Sequence, residues 1–74
     1  MNERISIDPN VQHGRPVIKG TRVPVSVILA NLAGGESRDT IAREYGVTDA
    51  DISAALAYAV EIVEQQRQRP LKTA

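Results

Sequence analysis

Residues 37–63 read S-R-D-T-I-A-R-E-Y-G-V-T-D-A-D-I-S-A-A-L-A-Y-A-V-E-I-V: a short amphipathic helix, a three-residue break and a longer helix. Ser37 is placed to cap the first helix, because its hydroxyl can accept from a backbone N–H of the first turn. Ile41 and Tyr45 stand four apart on one face with Ala42 beside them. Gly46 follows, the residue that most easily takes the left-handed conformation ending a helix. Thr48 then caps the second helix, with Asp51 reaching back as a capping box. Val47 and Ile52 have the spacing of a hydrophobic staple, which fixes the angle at which that helix leaves.

Together these signals resemble a helix-turn-helix, with small Ala42 inside the first helix, Gly46 at the turn, and Ile41, Tyr45, Val47, Ile52 and Leu56 at the apolar positions. The competing description is an ordinary helical hairpin packed in a core, and the number of matching positions favours the motif. Motif and DNA binding remain separate claims.

Upstream, Ile5-Ser6-Ile7 alternates as a short strand and Asp8-Pro9-Asn10 closes it as a turn. Val17–Lys19 and Arg22-Val23 flank a tight turn at Gly20-Thr21. Pro16 and Pro24 cannot donate to a ladder, so the strands are expected to be short and at an edge. So small a sheet does not hold alone in water; it must lie on the helices or pair with a second copy. Pro24 stands at the start of a further helix with Val25, Ile28, Leu29 and Leu32 on one face, and Gly34-Gly35 ends it. The expected fold is mainly α: a short N-terminal β-hairpin followed by a three-helix, helix-turn-helix domain. Its expected limits are one domain over residues 1–66, with the hairpin in 4–23, the helical part in 24–66 and a flexible basic tail in 67–74.

With 74 residues, two Tyr, no Phe, no Trp and no Cys, the chain must build its core from Val, Ile, Leu and Ala, without disulfides. A chain this short without staples commonly gains stability from an oligomer or a partner. The last helix points the same way. At roughly 100° per residue, Ile52, Ala55, Leu56, Ala59, Val60, Ile62 and Val63 span an arc of about 160°, with Ala54, Ala57 and Tyr58 outside it. That is more apolar surface than one layer of neighbours covers, so Leu56, Tyr58, Ala59, Ile62 and Val63 are candidate contacts for a homodimer or another partner. No apolar run is long enough to span a bilayer and the N-terminus lacks a signal-peptide pattern, so the expected location is cytoplasmic, with no membrane association.

Formal net charge is zero, so nucleic acid gains no global attraction. The distribution says more: Arg4, Arg15, Lys19 and Arg22 near the N-terminus, seven acids against Arg38 and Arg43 from Glu36 to Glu64, then Arg67, Arg69 and Lys72. For catalysis the inventory is poor. His13 is the only histidine, no Ser has a recognisable activating partner, and no spacing suggests a metal or other cofactor. Lys19-Gly20-Thr21 lacks the upstream glycine of a phosphate-binding loop. The expectation is no enzyme. For DNA, the groove-facing surface would be Thr48, Asp49, Ala50, Ser53 and Ala54, with none of the side chains that usually read base edges. Arg38 and Arg43, with Arg15, Lys19 and Arg22, could still grip phosphates, and Thr48 and Ser53 complete the candidate nucleic-acid or partner contacts. Arg15 and Lys19 are the better partner contacts, since nothing local requires their charge. Gly20 has a turn to make, and Arg22 is expected first to cap or pair with an acid of the helical region.

The run G-R-P-V-I-K-G-T-R-V-P-V (residues 14–25), with its spacing to Gly34-Gly35 and to A-A-L-A-Y-A, closely resembles the family known as domain of unknown function 433. The resemblance covers about Ile5 to Glu64. It implies a short β-hairpin followed by a homeodomain-like helical domain, and a VapB-type antitoxin, usually paired with a PIN-like ribonuclease toxin, often dimeric and able to repress its own operon through DNA. Under that resemblance, Arg67, Arg69 and Lys72 would meet the acidic catalytic cluster of the toxin. The alternative is a dimeric protein-interaction module with a degenerate helix-turn-helix that does not bind DNA.

Overall fold

The computed structural model describes residues 2–67, with only the backbone of Arg67. Two short strands, β1 (Ile5–Ser6) and β2 (Val17–Ile18), pair antiparallel with Ile5 opposite Ile18 and Ser6 opposite Val17. The link between them opens on Asp8, whose carboxylate accepts from the Asn10 amide at 2.8 Å while its carbonyl accepts from Val11 at 2.9 Å. One 3-10 turn follows at Gln12–Gly14, in which Gln12, His13 and Gly14 have φ of 49°, 57° and 82°. Two non-glycine residues in the left-handed region cost roughly 1–2 kcal/mol each.

The turn after β2 also departs from expectation in one respect. Gly20 (φ 82°) takes the third position of a turn closed by Thr21 N–H to the Ile18 carbonyl at 3.0 Å, where a positive φ calls for glycine. The chain does fold back, but Arg22-Val23 is no ladder strand. Pairing there shrinks to a bridge between Val17 and Pro24, flanked by Ile18 N–H to Val23 O at 3.0 Å and Val25 N–H to Pro16 O at 2.9 Å. Pro24 thus occupies a position where no donor is needed, and Pro16 contributes its carbonyl. The ladder partner of β2 is β1.

Three helices follow: α1 (Val25–Ala33), α2 (Arg38–Tyr45) and α3 (Asp49–Arg67). Pro24 is the N-cap of α1, and Gly35 (φ 92°) lets the chain leave it, with Glu36 N–H bonded to the Asn31 carbonyl at 3.0 Å. Ser37 caps α2 by accepting from the Thr40 amide at 3.1 Å, and Gly46 ends it at φ 66°, ψ 33°. The capping box is complete: Asp51 N–H to Thr48 Oγ1 and Thr48 N–H to Asp51 Oδ2, both 3.0 Å. The staple residues Val47 and Ile52 are both buried.

The helices close around Ile28, Ile41 and Ile52, joined by Val25, Val47, Ala54 and Ala55. Ile5 and Ile18 enter the same cluster from the sheet, so the hairpin lies on the helices. Asn31 ties α1 to α2 by donating to the Tyr45 hydroxyl at 3.1 Å. Arg4 ties the hairpin to α3 by an ion pair with Asp51 at 3.1 Å. That is the role expected of Arg22, which is exposed and makes no ion pair with a described residue. Arg4 precedes β1 and is carried by it to the start of α3, whereas Arg22 sits on the turn. Ala54 is a second correction: expected on the groove-facing surface, it is buried.

Candidate functional site

The helix-turn-helix face is self-paired. Arg38, on the first turn of α2, donates through Nε to Asp49 Oδ1 at 2.6 Å and through one terminal nitrogen to the Asp49 carbonyl at 3.1 Å and Ser53 Oγ at 2.7 Å. The hydrogen bond from Arg38 holds the Asp49 carboxyl below the usual carboxylate range, and its counterpart raises the guanidinium. Of the expected DNA contacts here, Arg38 and Ser53 therefore spend their hydrogen bonds on each other and on Asp49. Thr48, Asp49, Ala50 and Ser53 are exposed, as is Arg43 on α2. A phosphate approaching Arg38 must compete with a carboxylate already in place.

On the hairpin, Lys19 and Arg22 are exposed and make no ion pair with a described residue. Arg22 borders a shallow hollow of about 440 Å³ shared with Ser6, Val11, Val17, Gly20 and Thr21. Arg15 points elsewhere. Its guanidinium donates to Ser26 Oγ at 2.6 Å, on the first turn of α1.

That places Arg15 on the rim of an apolar groove of about 430 Å³, bounded by Pro16, Val25, Ser26 and Leu29 on one side and Tyr58, Ala59, Ile62 and Val63 of α3 on the other. The structure thus brings one expected partner contact together with four of the five interface residues read from the α3 periodicity. The fifth, Leu56, stands beside the groove. It forms an exposed apolar ridge with Val60 and Val63, at 40%, 61% and 58% of full exposure. Leu29 and Pro16 were missed as groove walls. Leu29 belongs to the apolar face of α1 and was assigned to the core, where it is only half-buried.

The side chain of Arg67, and all of Arg69 and Lys72, lie outside the described residues. Among the described residues no three His, Cys, Asp or Glu side chains converge as metal ligands, and no helix is long and apolar enough to cross a membrane.

Comparison with known proteins agrees with this architecture. Residues 5–59 match the model of the family described as "Protein of unknown function (DUF433)". A solved structure, that of Rv2018 from Mycobacterium tuberculosis, is similar at 35% identity and a TM-score of 0.65, over 70% of this chain and 24% of that one. The chain therefore spans about a quarter of the length of that relative. No curated protein matches.

Proposed function

This chain belongs to the DUF433 family, and from that premise we propose that it acts by binding, without catalysis, as the antitoxin of a toxin–antitoxin pair in the cytoplasm. Its partner is a PIN-like ribonuclease. The observation that carries the reading is the apolar ridge and groove along α1 and α3, since side chains such as Val60 at 61% exposure are features of a surface built to be covered by protein. The cations Lys19 and Arg22 stand away from that face, and their charge suits the acidic catalytic cluster of such a nuclease. Co-expression with a PIN-like ribonuclease whose toxicity halts growth is the test. Restored growth and co-purification of the two proteins are expected; nuclease activity unchanged by excess of the chain sinks the proposal.

The Arg38–Asp49–Ser53 network supports a second reading, a protein-interaction module whose helix-turn-helix does not read DNA. A gel shift on the chain's own promoter separates the two. Autorepression through this face, with Arg38 held by Asp49, is expected to give only weak, salt-sensitive and sequence-indifferent retardation. Asp49→Ala removes a negative charge and releases Arg38, so it should tighten that binding several-fold. Retardation that is absent for both proteins at low salt decides for the module without DNA binding.

A further inference from the structure

The groove beside Arg15 is a trough between two helices. One wall carries Val25 and Leu29, four apart on α1; the other carries Tyr58 with Ile62, and Ala59 with Val63, each pair four apart on α3. Side chains four apart stand above one another on the same helix face, so both walls are rows that rise about 6 Å per step. The α3 wall offers a partner no backbone to pair with. Residues 58–63 lie inside the helix, where the N–H and C=O groups already serve the helical ladder. An extended segment laid in the trough would bury amide and carbonyl groups unpaired, each at a cost comparable to a lost hydrogen bond. A helix brings its own bonds, and apolar side chains at its positions i, i+3, i+4 and i+7 interdigitate with rows of this spacing.

The trough also has a charged border. Arg15 stands at the end where α1 begins, donates to the Ser26 hydroxyl at 2.6 Å and makes no ion pair with a described residue. A guanidinium fork is matched best by a carboxylate, and a hydroxyl leaves most of its donors over. We infer that the trough takes an amphipathic helix of the ribonuclease, with its apolar stripe between α1 and α3 and an aspartate or glutamate at the border of that stripe on the Arg15 guanidinium. This rests on the antitoxin reading and adds to it the element that is recognised and the side chain that sets its direction. Because Arg15 marks one end only, reversing the helix would carry the acid away from it. The hairpin cations Lys19 and Arg22 line no part of the trough and stay available for the catalytic cluster.

Synthetic peptides, one for each amphipathic helix of a PIN-like ribonuclease that the chain neutralises, titrated into the full chain, are the test. One peptide is expected to bind and to gain helical circular dichroism as it does. Ile62→Glu should weaken its binding about a hundredfold. Ala59→Arg, which fills the trough from a half-buried position, should do the same, and both variants should keep the chain's own helical signal. Arg15→Glu should weaken binding about tenfold, and a peptide with lysine in place of its acid should recover it, a reciprocity that a merely structural arginine would not produce. A ribonuclease neutralised undiminished by chains carrying Ile62→Glu, Ala59→Arg or Arg15→Glu overturns the inference and leaves the antitoxin reading standing, as does a bound peptide that stays extended. Variants that change only the sedimentation of the chain by itself put a second copy in the trough and overturn the inference too. A native chain that neutralises no PIN-like ribonuclease overturns the antitoxin reading, and the inference with it.

Discussion

Ile52→Ala is expected to leave the chain largely unfolded at 37 °C. Ile52 is 0% exposed and is the point where the staple from Val47, the first turn of α3 and the apolar cluster meet. Cutting a fully buried isoleucine to alanine removes the transfer free energy of its outer carbons and leaves a cavity, together about 2–5 kcal/mol. Larger domains survive that. A domain of this size, with no disulfide and no buried Phe or Trp, holds at the lower end of the usual range, about 5 kcal/mol. The cavity has little prospect of collapsing, because the other fully buried large side chains, Ile18, Ile28 and Ile41, come from three other elements whose positions are set independently. Urea denaturation of native and variant chains at one protein concentration checks this. A midpoint within experimental error of the native one would show that Ile52 is not the centre of the core.

That core was legible because its residues obey local rules. Ser37, Gly46, Thr48 and Asp51 each satisfy a helix terminus through bonds two to four residues away, so their roles are written in spacing alone. The staple and the α1 face are likewise short-range. The losses occur where tertiary placement decides. Nothing near Arg4 or Arg22 in sequence says which of two exposed arginines reaches an acid 47 positions after Arg4. The answer depends on β1 pairing with β2 and carrying the N-terminus to the start of α3. Arg38 resembled a free phosphate contact for the same reason: only the angle between α2 and α3 places its guanidinium against Asp49 and Ser53. Ala54 shows the limit of a helical wheel. Its position lies outside the main apolar arc, yet a neighbouring element covers it, and alanine is small enough to accept close packing. The groove follows the same logic in reverse, since periodicity identified the α3 side chains while Pro16 and Leu29 were invisible as their opposite wall.

Asp51→Ala is expected to cost about 2 kcal/mol at neutral pH, from the loss of hydrogen bonds to a charged group, and the cost should fade in acid. Asp51 accepts from the Thr48 amide at 3.0 Å and from the Arg4 guanidinium at 3.1 Å, with its side chain only 14% exposed. The Thr48 N–H is the main reason its carboxyl is held below the ordinary aspartate range, with Arg4 adding to it against the cost of burial. Because the folded pKa lies below the unfolded value of about 3.9, the contribution is complete above that pH and is lost as pH falls through the folded value. The native chain should therefore lose stability in acid faster than Asp51→Ala, and the two denaturation midpoints should converge. Arg4→Ala removes only an interaction with a half-exposed arginine, so its cost at pH 7 should stay below about 1 kcal/mol. Asp51→Asn keeps an acceptor for Thr48 without the charge and should fall between the other two variants. A gap between native chain and Asp51→Ala that is as wide at pH 2 as at pH 7 would mean that the ionised carboxylate contributes nothing. The start of α3 would then rest on the Val47–Ile52 staple alone.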